Sequence, residues 1–131
     1  MEIKRNVVDQ MIAWKNRRGR KPLILQGARQ VGKTWLLKSL GREHFENTAY
    51  FNFDQQAELK QFFMTTKDPV RIIENLSLVL GKPIFPGRTL IIFDEIQECN
   101  EALNSLKYFH ENAPQFAIAC AGSLLGVAMS R

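Results

Sequence analysis

Leu23-Ile24-Leu25-Gln26-Gly27-Ala28-Arg29-Gln30-Val31-Gly32-Lys33-Thr34-Trp35 is the stretch from which the rest of the chain is read. Leu23 to Leu25 predict a short apolar strand, and Gly27 to Thr34 then match G-x-x-x-x-G-K-[ST], the P-loop or Walker A pattern. Each fixed position has its own chemical reason. Gly27 and Gly32 let the backbone curl, so that successive N–H groups across Ala28, Arg29, Gln30 and Val31 face a phosphate chain. Lys33 brings an ammonium to the β- and γ-phosphates, and Thr34 offers a hydroxyl to Mg²⁺. Thr34 and Trp35 fall in the first turn of a helix whose positive dipole end faces the same anion. With ordinary residue frequencies the pattern arises by accident in about 0.5 % of chains this long. Here it lies between an apolar run and the helical pattern Trp35, Leu36, Leu37, Leu40, which is the context the loop requires. The competing reading is a glycine-rich turn that binds nothing.

A chain of 131 residues with 45 % apolar and 24 % charged residues has the composition of one soluble globular domain, taken as residues 1–131. No apolar run approaches the length that spans a bilayer, and the charged N-terminus lacks the apolar core of a secretory signal. The expectation is a cytoplasmic protein without a membrane partner. Cys99 and Cys120 have neither CxxC spacing nor a nearby His, which predicts reduced structural thiols rather than a zinc site. The net charge of +5 sits entirely in the first 21 residues, where Lys4, Arg5, Lys15, Arg17, Arg18, Arg20 and Lys21 face only Glu2 and Asp9. Such a patch suits nucleic acid or an acidic partner, although a solvated basic helix face is the commoner meaning.

Working outward, Val7, Val8, Met11, Ile12 and Trp14 predict an amphipathic helix over about 6–16, with Asn6 as N-cap. After the P-loop helix, expected to stop near Gly41, the run Thr48 to Phe53 reads as a second strand. Asp54 has two readings, a cap for the next helix or a group facing the nucleotide, and the cap is preferred. Asp68-Pro69 opens a further helix with an apolar face of Ile72, Ile73, Leu76, Val79 and Leu80, ended by Gly81.

Thr89-Leu90-Ile91-Ile92-Phe93 is a continuous apolar run of the kind found in parallel strands covered on both faces. Asp94 and Glu95 follow it directly. An apolar strand ending in a carboxylate is the Walker B arrangement, which sets Asp94 beside the loop hydroxyl to hold Mg²⁺, while Glu95 is placed to deprotonate an attacking water. A pair of helix-capping carboxylates is the alternative. Gln97 either lies nearby or faces solvent. A helix over about 100–111 follows, with His110 read as a surface or half-buried residue. A fourth strand, Phe116 to Cys120, then leads to Ala121-Gly122-Ser123. Ser123 is either a group that senses the γ-phosphate or an ordinary turn serine.

With GARQVGKT, IIFDEIQ and AGS in this order, the sequence resembles the AAA-type P-loop ATPases, and more narrowly a prokaryotic family whose members continue into a separate C-terminal domain of obscure function. The resemblance implies a three-layer α/β P-loop NTPase fold with a parallel sheet in the order 5-1-4-3-2. Strand 5, an arginine finger, a second sensor and the C-terminal domain have no counterpart before Arg131. The chain is therefore expected to be the N-terminal portion of a longer protein, with the first strand as an exposed edge. By the resemblance Lys33 and Thr34 match the phosphate and magnesium residues, Asp94 and Glu95 the Walker B acid and catalytic glutamate, and Ser123 the sensor. Arg29 matches the family pattern without an evident role.

Two functions compete. The first is Mg²⁺-dependent hydrolysis of ATP, slow in this piece because an arginine finger can contribute about 10³ to 10⁵ in rate. ATP is preferred to GTP because the guanine-reading N/T-K-x-D motif is missing. The second is a nucleotide-dependent switch or binding module, with nucleic-acid contact or oligomerisation as further options, in which occupancy rather than turnover matters.

Overall fold

The computed structural model describes residues 2–27 and 32–123. Ala28, Arg29, Gln30 and Val31 of the loop, and the apolar ending 124–131, lie outside the described residues. The elements in order are α1 (Glu2–Asn16), β1 (Leu23–Gly27), α2 (Lys33–His44), β2 (Asn47–Asn52), α3 (Lys60–Thr65), α4 (Pro69–Leu80), β3 (Thr89–Asp94), α5 (Asn100–Asn112) and β4 (Ala117–Ser123), with 3₁₀ turns at Ala57–Leu59 and Ile96–Glu98. The four described strands are all parallel and lie in the order β1-β4-β3-β2. This is the predicted order, without a fifth strand among the described residues.

Side-chain alternation sorts the strands' residues between the two faces. Leu90 and Ile92 of β3, with Ala117, Ala119 and Ala121 of β4, pack against Met11 and Trp14 of α1 and Leu37 and Leu40 of α2. The three alanines keep this face low, so α2 can lie close to the strands. On the opposite face Phe51, Ile91, Phe93, Ile118 and Cys120 meet Phe63 of α3, Ile72, Ile73 and Leu76 of α4, and Leu106 and Phe109 of α5. β3 is buried along its full length, which explains its unbroken apolar run.

Three rings brace the end of β3. Phe53 and Phe63 approach Phe93 edge-on, with centroids 5.5 and 5.7 Å from it, and each other at 5.5 Å. Edge-to-face pairs contribute about 0.5–1.5 kcal/mol each beyond area burial. Phe93 directly precedes Asp94, so this cluster fixes the backbone from which the acidic pair projects.

α4 is built as its sequence predicts. The Asp68 carboxylate accepts from the Val70 N–H at 3.1 Å, Pro69 occupies the first turn, and Gly81 ends the helix at φ 81°. Val79, however, is exposed rather than part of the apolar face, as is Leu78 beside it. Three other expectations are corrected. α1 starts at Glu2, which puts Asn6 inside the helix rather than at its cap. α2 runs through Gly41 to His44; a Cβ at Gly41 would fall 2.3 Å from Thr48 Oγ1, so this glycine serves close helix–strand approach, not helix termination. Asp54 caps nothing, because the Asn52 side chain takes the backbone N–H groups of Asp54 and Gln55 at 2.9 and 3.0 Å and closes the turn itself.

Of the basic N-terminal residues, Arg20 is turned partly inward, while Arg17, Arg18 and Lys21 are exposed. Arg20 donates to the carbonyl oxygens of Lys15 and Gln115 at 3.3 and 3.4 Å and lies over the Trp14 ring, and burial lowers its pKa. The Trp14 indole in turn donates to the Lys21 carbonyl at 2.6 Å, tying α1 to the lead into β1. Both cysteines are free and buried. His110 is half-buried, as expected.

Candidate functional site

Parity places the polar ends of the strands together. Asp94 shares a face with Leu90 and Ile92, so its carboxylate projects toward α2 from the C-terminal end of β3. In register beside it lie Asn52 on β2 and Ala121 on β4, and two residues further along β4, Ser123 pairs with Gly27 of β1. The start of α2 meets this edge. Gly32 precedes the helix at φ 77°, a left-handed conformation that glycine adopts without strain, and open space surrounds the position where a Cβ would stand. Conformation, not room, requires glycine there. Lys33 then opens the helix with its side chain largely buried, and exposed Trp35 follows within the first turn.

Thr34 reaches Asp94 across 60 residues of sequence, its hydroxyl donating to Oδ2 at 2.7 Å. The same oxygen accepts from the Tyr50 hydroxyl at 2.5 Å, and Oδ1 accepts from the Glu95 N–H at 2.9 Å. Asp94 is 4 % exposed, so three donors compensate the lost hydration of its carboxylate. The Tyr50 phenol is pushed up to about 12, mainly by burial and then by its bond to Asp94. It is therefore protonated at neutral pH and acts as a donor.

Glu95 sits at φ 52°, the left-handed region, unusual for a residue with a Cβ. The conformation turns the chain out of β3 into the 3₁₀ turn and brings the carboxylate to two partners. Glu95 Oε1 accepts from Gln97 Nε2 at 2.7 Å and from Ser123 Oγ at 3.4 Å. The sequence left Gln97 and Ser123 with two readings each; both side chains gather on Glu95. The Gln97 carbonyl oxygen is buried and has no hydrogen-bond partner among the described residues.

Tyr50 was missed in the sequence. Its phenol makes the shortest contact to Asp94, and it accepts from Asn52 Nδ2 at 3.3 Å. The available signal was weak: a Tyr and an Asn two apart, near the end of a strand, on the face opposite Phe51 and Phe53.

A profile of the AAA domain family matches residues 19–131. The chain belongs to that family. This AAA domain is accordingly nucleotide-binding and ATPase-like in kind. No curated protein matches its sequence at a significant level. Among solved structures it is similar to PCH-2 from C. elegans, with a TM-score of 0.50 and 14 % identity, over 96 % of this chain and 37 % of that one. At that identity the likeness is one of fold, and the AAA domain spans little more than a third of the PCH-2 chain. No described helix is long and apolar enough to cross a membrane.

Proposed function

We propose that this AAA domain binds ATP together with Mg²⁺ at the C-terminal edge of the sheet and hydrolyses it by in-line attack of water. The observation that carries the reading is the 2.7 Å bond between Thr34 and Asp94, which joins the Walker A hydroxyl to the Walker B carboxylate. In donating its proton to Asp94, Thr34 keeps its lone pairs for a cation. One hydroxyl and one carboxylate are hard oxygen donors that suit Mg²⁺, an ion that commonly takes its other ligands from water and phosphates. When bound, Mg²⁺ would neutralise charge on the β- and γ-phosphates.

The chain's own residues have separate tasks in this reading. Gly27 to Gly32 present backbone N–H groups to the phosphates, Lys33 adds an ammonium, and the α2 dipole favours the anion. Glu95 takes the proton of the attacking water, with Gln97 and Ser123 orienting its carboxylate. ATP is preferred to GTP for want of a guanine-reading motif in the sequence. Glu95 in this place argues against a switch that never turns over its nucleotide.

Glu95→Gln tests the assignment. It should bind ATP as the parent does while phosphate release falls at least about 100-fold. Equal turnover in the two proteins would refute the role of Glu95.

A further inference from the structure

We infer that Tyr50 is a positioning residue for the magnesium-holding carboxylate, the last member of a relay that starts in the turn after β2. The inference rests on the ATP and Mg²⁺ reading above, and hydrogen-bond direction carries it. The Asn52 side-chain oxygen is taken by the backbone N–H groups of Asp54 and Gln55, at 2.9 and 3.0 Å. That fixes the amide's orientation and leaves its NH₂ to face the Tyr50 oxygen at 3.3 Å. A phenol that receives one hydrogen bond there has its own proton to give, and it gives it to Asp94 Oδ2.

The relay meets Thr34 on that same oxygen, so Asp94 is gripped from both sides, by β2 through Tyr50 and by α2 through Thr34. The two grips come from different elements. Thr34 belongs to the first turn of α2, whereas Tyr50 belongs to the sheet, where β2 pairs with β3 from Asn47 to Asn52. The ring is further held by the Lys38 ammonium, 4.0 Å from its centroid. Tyr50 thus holds the carboxylate in one rotamer from the sheet side.

Groups that orient a metal-holding carboxylate typically contribute about 10- to 100-fold in metal affinity. Tyr50→Phe removes the hydroxyl and keeps the ring, so the packing is undisturbed. The experiment is calorimetric titration of parent and Tyr50→Phe with ATP, once with Mg²⁺ and once with EDTA. The gain in ATP affinity due to Mg²⁺ should fall about tenfold in the variant, with affinity in EDTA unchanged. An undiminished Mg²⁺ gain would overturn the inference, and so would an equal loss under both conditions, which marks Tyr50 as a general support of the site. Absence of ATP binding by the parent under both conditions would instead refute the nucleotide reading, and the inference with it. Titration of the ADP complex with Mn²⁺, followed by electron paramagnetic resonance, probes the same carboxylate without turnover and should show a loss of similar size in Tyr50→Phe; no loss would overturn the inference.

Discussion

Gly41→Ala should destabilise the protein, although in an ordinary helix the same change stabilises. Ala is preferred to Gly in a helix interior by about 0.8–1 kcal/mol. Gly41, however, lies where α2 crosses β2, and an added Cβ would stand 2.3 Å from Thr48 Oγ1, 3.1 Å from its Cγ2 and 3.2 Å from its Cβ. Both branches of Thr48 and its Cβ crowd that point, so rotating the side chain leaves at least one close contact and helix and strand must give way. Overpacking of this kind costs about 1–3 kcal/mol, which leaves a net loss of about 1 kcal/mol, or about 4 °C in Tm for a domain of this size. In a Thr48→Ala background both branches are gone, and Gly41→Ala should now gain about 0.5 kcal/mol. The four proteins of this cycle, compared by urea unfolding, should show a coupling of about 1.5–2 kcal/mol. If Gly41→Ala stabilises equally with and without Thr48, the close approach is not what this glycine serves. The consequence reaches the site, because α2 also carries Lys33 and Thr34.

Other outcomes follow from single contacts. Asp68→Ala removes the cap on the Val70 N–H and should cost about 1 kcal/mol in urea unfolding, with Asp68→Asn losing much less. Cys99 and Cys120 are buried, and burial pushes both thiols up. A thiol reagent at neutral pH should therefore leave the native protein unlabelled and find two thiols after denaturation, whereas rapid native labelling would contradict their burial. If the basic N-terminal region binds nucleic acid, the affinity should fall steeply with salt; no binding at low salt would remove that option.

What could be read from the sequence was whatever chemistry packs into a short span. Gly32, Lys33 and Thr34 lie within one loop pattern, and Asp94 with Glu95 ends an apolar run, so their meeting required only a parallel sheet with β1 and β3 near one another. Asp68, Pro69 and Gly81 were legible for the same reason, since capping is local. Tyr50 was not, because its role depends on the register of β2 against β3 and on a carboxylate 44 residues away. Gly41 looked like a helix stop because nothing nearby in sequence announces Thr48 as the atom it must clear. Asp54 was misread through competition: Asn52, two residues earlier, reached the free N–H groups first. Ser123 and Gln97 had equal alternatives in sequence, and it was the left-handed turn at Glu95 that drew both onto one carboxylate.

The central claim is that the loop at Gly27 to Thr34 is a working ATP site, and calorimetric titration of the protein with Mg²⁺ and ATP, then with Mg²⁺ and GTP, tests it most directly. ATP should bind in the micromolar range and GTP more weakly, with both lost in Lys33→Ala. Undetectable binding of either nucleotide, or ATP binding that survives Lys33→Ala unchanged, would contradict the claim.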